Sequence, residues 1–230
     1  MSAHDLADRP DPSDEWVEKV RDALLRWGTS HSQSYPWRDV GLPLWQALVA
    51  EFLLLRTRAD QVGPVFEALR RCYPTARSFG DAPEERLCEM IASLGLRWRR
   101  PLFIRLARAI KDCDGDVPAK VDELMELPGV GTYVAAATAA LHGGNRASIV
   151  DSNIVRLLCR LTGRECDGET RRKRWLLELA ERLTPEIEFR AYGYAALDLS
   201  MTICRPRQPL CADCPLAEVC VTGRARTTSR

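Results

Sequence analysis

Four cysteines crowd into seventeen residues near the end of the chain: Cys204, Cys211, Cys214 and Cys220, spaced C-x6-C-x2-C-x5-C. Prolines at 206, 209 and 215 lie between and beside them, so the segment is a stiff loop that cannot continue as helix. Four thiolates in such a loop can converge on one centre, and the spacing leaves zinc and iron–sulfur both open. A second kind of chemistry sits in Leu124 to Leu141, LMELPGVGTYVAAATAAL. Two helical stretches meet at LPGVG, where Gly129 and Gly131 permit positive φ and leave the N–H groups of Val130, Gly131 and Thr132 uncovered. The next helix starts there, so its positive dipole end makes an anion site suited to a DNA phosphate. An ordinary glycine-containing turn between helices has the same spacing. Third, Glu51 shares a helix face with Ala47, Leu48 and Leu55, which aims a carboxylate at apolar surroundings. Buried carboxylates are paired or functional; the plain alternative is a salt bridge to one of the many arginines. Asp151, finally, stands at the N-cap of a helix, a position that Asp favours for structural reasons alone.

The elements that must position these groups read as helices nearly throughout. Ser13 caps a helix with Asp14 and Glu15 in its first turn and Trp16, Val17, Val20, Leu24 and Trp27 as its apolar stripe, and Gly28 is expected to end it. Pro43 opens the next, through WQALVAEFLLL, with Arg56 and Thr57 following on the same helix. Further helices are expected over about 60–71, from an Asp81 cap to Gly95, over 100–113, 119–126 and 132–142, from Asp151 over 152–162 to Gly163, and over 169–183 and 188–203. No segment shows strand alternation with hairpin turns, so the class is all-α.

Composition narrows the function. The 230 residues are 46% hydrophobic and 28% charged, which excludes wholesale disorder. The longest nearly apolar stretch, Tyr133 to Leu141, falls far short of the ~20 residues a membrane span needs. The start, MSAHDLADRPDPSDE, has no apolar signal core, so a cytoplasmic protein without a disulfide scaffold is expected. The five scattered cysteines (Cys72, Cys88, Cys113, Cys159, Cys166) are expected as small buried hydrophobes. A net charge of +1 hides an uneven distribution: Arg97 to Lys111 holds six cations and no acid, whereas Met1 to Trp16 holds five acids against one Arg. Only four of the 33 cations are Lys (Lys19, Lys111, Lys120, Lys173), which limits amine chemistry.

LPGVG followed by Tyr133, then VDSN at 150–153 with Asp151 eighteen residues on, then the four-cysteine loop, resembles the helix–hairpin–helix DNA glycosylases that carry a [4Fe–4S] cluster. That superfamily includes endonuclease III, the adenine-mismatch glycosylase MutY and the thymine-mismatch glycosylases. YPWR at 35–38 and AEFLLLRT at 50–57 extend the resemblance, which runs from about Tyr35 to Cys220. It implies iron–sulfur rather than zinc at Cys204, Cys211, Cys214 and Cys220. It also implies a catalytic role for Asp151, whose carboxylate would stabilise the positive charge that grows on the sugar as an N-glycosidic bond breaks.

Tyr133 stands where the bifunctional members hold a Schiff-base lysine, and Lys120, the nearest lysine in sequence, precedes the hairpin. A phenol cannot form that adduct, so a monofunctional enzyme is expected. The resemblance gives Glu51 a role on the flipped base; Arg56 and Thr57 are expected against the DNA, with Arg56 filling the gap left in the duplex or contacting the unpaired guanine. Leu94-Gly95-Leu96 and the basic run after it are expected to form the other side of the DNA cleft. The architecture implied is two helical lobes flanking a DNA cleft. One is a six-helix barrel over 41–146; the other, over 13–40 plus 147–222, is closed by the cluster. An acidic disordered start over 1–12 and a flexible basic tail over 223–230 are expected around them.

The function implied is excision of thymine or uracil mispaired with guanine in double-stranded DNA, by a nucleoid-associated monomer. An adenine glycosylase acting opposite 8-oxoguanine is the nearer alternative. Tyr133, Arg56 and a chain ending ten residues after Cys220 stand against it. A non-catalytic DNA-binding iron–sulfur protein is the other, and the presence of Asp151 together with Glu51 stands against that.

Overall fold

The structure, a computed structural model, describes residues 11–39, 41–95 and 97–227. Among these there is no β-strand, and no helix is long and apolar enough to cross a membrane. The chain divides into two compact units, one of residues 34–145 and one in which residues up to 33 join those from 146 onward.

In the 34–145 unit the centre is α1, if helices are numbered within each unit by chain order from here on: α1 (Leu44–Leu54), α2 (Ala59–Cys72), α3 (Ala76–Gly80), α4 (Glu84–Met90), α5 (Arg100–Asp112), α6 (Val121–Leu124) and α7 (Thr132–Leu141). Every residue of α1 from Trp45 to Leu53 is buried, and so is every residue of α7 from Val134 to Leu141. Helices apolar on all sides must be enclosed, and these two pack against each other. Around them Phe52, Phe79 and Phe103 form an aromatic chain with centroids 5.6–5.7 Å apart. Each fully buried ring contributes about 1.5–3 kcal/mol of transfer free energy. Asp81 does not start a helix as expected; it ends α3, whose Thr75–Ser78 capping box fixes the other end, and Pro83 begins α4. Ser34–Asp39 belongs to this unit instead of joining the N-terminal helix. The reason is packing: Trp37 meets Phe66 edge-on at 6.1 Å, and Arg70 donates to the Pro36 carbonyl.

The second unit contains α8 (Asp14–His31), α9 (Ser152–Thr162), α10 (Arg174–Leu183), α11 (Phe189–Thr202) and α12 (Val221–Thr227). Ser13 caps α8 as expected, its Oγ accepting from Trp16 N at 3.3 Å. Gly28 does not end α8, which continues to His31. A Cβ at Gly28 would stand 2.8 Å from the Ala195 Cβ, so this glycine lets α8 and α11 approach closely. The expected tail is a helix as far as Thr227, with Arg224 N donating to the Cys220 carbonyl; residues 228–230 lie outside the described residues, as do 1–10 of the expected acidic start. Of the five scattered cysteines only Cys159 is buried; Cys72 and Cys166 are exposed. Cys72 is the last residue of α2 and Cys166 lies four residues beyond α9, both where the chain leaves a helix.

Candidate functional site

Glu51 is the one charged residue of α1, and its residue is 1% exposed. A lone carboxyl there needs partners, since an unpaired charge in such a place costs several kcal/mol. They come from α7 and not from an arginine. The Tyr133 hydroxyl donates to Oε2 at 3.3 Å, and His142 Nε2 lies 3.1 Å from Oε1. The sequence reading found Glu51 and Tyr133 separately but missed His142. Its only signal was a histidine closing an otherwise apolar helix, YVAAATAALH.

At the hairpin, Gly129 has φ +76°, and a Cβ there would meet Leu102 and Phe52 at 2.9 Å, so glycine is required twice over. Gly131 has φ −99° and nothing within 4 Å of its would-be Cβ; neither backbone strain nor packing within the described residues demands glycine there. The Val130 N–H, expected to be uncovered, donates to the Leu127 carbonyl at 3.1 Å, closing the turn. Gly131 and Thr132 are exposed at the start of α7, and their N–H groups have no acceptor among the described residues. The uncovered anion site is therefore smaller than the sequence suggested, two amides at a helix N-terminus.

Arg56 and Thr57 are not helical. α1 stops at Leu54, and Arg56 takes φ +58°, a left-handed conformation rare outside glycine. Arg99 holds the turn: its guanidinium donates to the Phe52 carbonyl at 3.2 Å and to the Leu55 carbonyl. Burial, with the Arg56 charge beside it, pushes Arg99 down to about 10. The exposed Arg56 side chain projects from this turn, and Gly129 packs on Phe52 one turn earlier. Trp98, 64% exposed, lies against the Arg99 guanidinium at 4.8 Å. Leu94 and Gly95 close the turn before it; Leu96 lies outside the described residues. Lys120 is exposed and 3.6 Å from Glu123.

In the other unit Asp151 caps α9, and Gly163 at φ +69° ends it, both as expected. Oδ1 accepts from Asn153 N at 2.9 Å and Ile154 N at 2.7 Å, and Oδ2 from Asn153 Nδ2 at 2.7 Å. Burial nevertheless holds this carboxyl above its ordinary value, against the opposing pull of those donors and of Arg156. Asn153 Oδ1 accepts from Arg156 at 3.1 Å, and Arg156 donates onward to the Cys204 and Ser200 carbonyls at 2.9 and 2.7 Å. One turn later Arg160 donates to the carbonyls of Arg205 at 2.6 Å and Pro206 at 2.7 Å. Helix α9 thus carries the carboxylate at one end and grips the cysteine loop along its length.

The four cysteines line one small hollow, shared with Leu157, Arg160, Leu161, Ile203 and Leu216 among others. Burial pushes Cys214 up to about 11, with Cys220, Cys204 and Cys211 adding repulsion between thiolates. Among the described residues no three His, Cys, Asp or Glu side chains are grouped to hold a single ion. The thiols ring a space instead of meeting at a point.

Two constellations result: Glu51, Tyr133 and His142 beside the hairpin and the Arg56 turn in one unit, and Asp151 joined through Asn153 and Arg156 to the cysteine loop in the other. Residues 114–140 match the helix-hairpin-helix motif model. Over 213 residues the chain is 35% identical to the thymine-DNA glycosylase of Aeropyrum pernix, covering 89% of this chain and 94% of that protein. It is 32% identical to the thymine/uracil-DNA glycosylase of Methanothermobacter thermautotrophicus, covering 87% and 91%. The solved structure of a thermostable thymine-DNA glycosylase superposes with a TM-score of 0.81 at 28% identity, over 92% of this chain and 98% of that one. The chain belongs to the helix–hairpin–helix DNA glycosylase family, of the MutY and endonuclease III kind. It is accordingly an N-glycosyl hydrolase whose partner is DNA.

Proposed function

We propose that this glycosylase removes thymine or uracil from opposite guanine in duplex DNA, and that it leaves the strand uncut. The observation that carries the second half is the residue at position 133. A phenol hydrogen-bonded to the buried Glu51 stands beside the hairpin, and the nearest lysine in sequence, Lys120, is occupied at the surface by Glu123. No amine is offered there for a Schiff base, so water is the acceptor of the sugar. The relatives named for thymine and uracil support the choice of base.

In this mechanism the Gly131 and Thr132 amides bind a backbone phosphate, holding the duplex without reading sequence. Nothing within 4 Å of the Gly131 Cβ position leaves the strand free to come close. A mispaired base is already weakly held, so extrusion from the stack favours mismatches. Asp151, ionised, faces the developing oxocarbenium charge, and the one Oδ2 lone pair that Asn153 and Ile154 leave unused orients the attacking water. Glu51 accepts a hydrogen bond from an N–H of the flipped base and so orients it for departure. Arg56, projecting from its left-handed turn, meets the duplex at the vacated position.

We also assign Cys204, Cys211, Cys214 and Cys220 to a [4Fe–4S] cluster. Support comes from the hollow they surround: four thiolates around a space suit a polynuclear cluster better than one tetrahedral zinc. When bound, the cluster would cross-link the loop that Arg156 and Arg160 hold against α9; no step of the excision passes through it.

The test is single-turnover excision on labelled duplexes containing G:T, G:U, A:8-oxoG or A:G, each scored with and without alkali. Alkali-dependent breakage at T or U opposite G is the expected result. Cleavage at adenine, or strand breakage without alkali, would overturn the reading.

A further inference from the structure

Glu51 is held from two directions by one helix. Tyr133 is the second residue of α7, and His142 is the residue after its last, so nine positions, roughly 13 Å of helix, separate them. His142 leaves the helix with φ −130° and ψ −35°, its own N–H donating to the Thr138 carbonyl at 3.1 Å. That departure from helical geometry brings the imidazole back to Oε1 at 3.1 Å while the phenol takes Oε2 at 3.3 Å. The His142 and Glu51 side chains are 5% and 2% exposed, so water does not compete for either contact. One proton lies between Nε2 and Oε1 in either arrangement. It sits on the imidazole if the carboxyl is ionised, or on the carboxyl if Nε2 accepts. A carboxyl with a partner on each oxygen has its plane fixed, and each oxygen retains a lone pair for a third group.

We propose that His142 is a positioning residue for base excision: its hydrogen bond to Oε1 sets the plane in which Glu51 meets the departing base. The proposal rests on the role given to Glu51 above. Among the described residues no other hydrogen bond to Oε1 is present, and Tyr133 alone would leave the carboxyl free to turn about the Cγ–Cδ bond with only Oε2 tethered. A fixed acceptor geometry is what separates a productive hydrogen bond from a merely adjacent one, because small misplacements lower rates steeply.

The experiment compares single-turnover excision from a G:U duplex by wild type, His142→Ala, His142→Gln, Glu51→Ala and the double variant His142→Ala/Glu51→Ala. Binding to the same duplex and Tm are measured for each. His142→Ala is expected to slow excision by about tenfold or more while DNA affinity stays within about twofold. Glutamine places an amide near the Nε2 position, able to donate or accept, and is expected to restore most of the rate. In the Glu51→Ala background the His142 substitution should cause no further loss, since the histidine then has nothing to position.

Excision at the wild-type rate by His142→Ala would overturn the proposal, as would a glutamine variant no faster than alanine or a full additional loss in the double variant. Undiminished excision by Glu51→Ala would instead place the failure in the reading of Glu51 itself. Should His142→Ala not fold, the imidazole nitrogen resonances of wild type and Glu51→Gln decide the matter. A shift at His142 Nε2 is expected, and unchanged resonances would refute the contact.

Discussion

Asp151→Asn separates the structural role of this residue from its chemical one, because the two oxygens do different things. Oδ1 accepts the Asn153 and Ile154 N–H groups at 2.9 and 2.7 Å, and asparagine keeps that oxygen, so the α9 cap survives. Oδ2 accepts from Asn153 Nδ2 at 2.7 Å, and an amide nitrogen there would face another donor. Asn153 is not free to flip, since its Oδ1 holds Arg156 at 3.1 Å. The lost hydrogen bond costs about 1–3 kcal/mol. An opposing contribution comes from charge. Burial raises the Asp151 pKa above 3.8, so the folded state holds this proton more tightly than the unfolded chain does. The resulting penalty on stability is absent below pH 3.8 and complete above the raised value, and at neutral pH asparagine removes it. The two contributions offset, and Tm is expected to move by no more than about 5 °C.

Excision behaves otherwise. Removing a preorganised charge that faces a developing opposite one costs about 3–4 kcal/mol, a factor on the order of 10²–10³ or more in single-turnover rate. In wild type, where the ionised form is the active one, the rate should fall tenfold per unit below the raised pKa, with the acid limb above pH 3.8. A folded Asp151→Asn protein excising within about tenfold of wild type would refute the assignment. An acid limb at or below 3.8 would refute the electrostatic account.

The hairpin glycines divide the same way. Gly129→Ala, strained at φ +76° and crowded by Leu102 and Phe52, should lose about 2–4 kcal/mol in urea denaturation. Gly131→Ala should leave stability unchanged within about 0.5 kcal/mol yet weaken DNA binding; undiminished binding in a gel-shift titration would remove the phosphate role. Protein purified without oxygen should contain iron and acid-labile sulfide in equal amounts, and stoichiometric zinc in their place would contradict the cluster. Arg99→Met leaves the Phe52 and Leu55 carbonyls without their donor and should cost about 2–3 kcal/mol, read as a lower denaturant midpoint.

What was legible in the sequence was what is decided locally. Asp151 and Gly163 bound α9 where the chain said they would, because an N-cap and a left-handed C-terminal glycine are settled by neighbouring backbone groups. Glu51 stood out as a carboxyl in an apolar helix for the same reason. Its partners did not, because Tyr133 and His142 lie 82 and 91 positions away and nothing near Glu51 in sequence announces either contact. Gly28 looked like a terminator, but its missing Cβ serves a helix 167 positions on. Arg56 continued a helical pattern, but the chain turns left-handed there, beside the Phe52 and Leu55 carbonyls that Arg99, 43 positions on, binds. Domain limits drifted likewise, since Trp37 chose Phe66 over the helix preceding it.

The division of the chain carries a consequence for its synthesis. The 34–145 unit is continuous, so all its helices have been synthesised once residue 145 is made. The other unit is discontinuous: α8 is made first, yet its main partner α11 begins 158 positions after His31. At about 5–20 residues per second that interval is roughly 8–30 s. Throughout it Val17, Val20, Leu24 and Trp27, the stripe buried in the finished protein, have no α11 to cover them. The apolar face of α8 thus waits through that whole interval for its main partner, which makes it a segment in need of protection during translation.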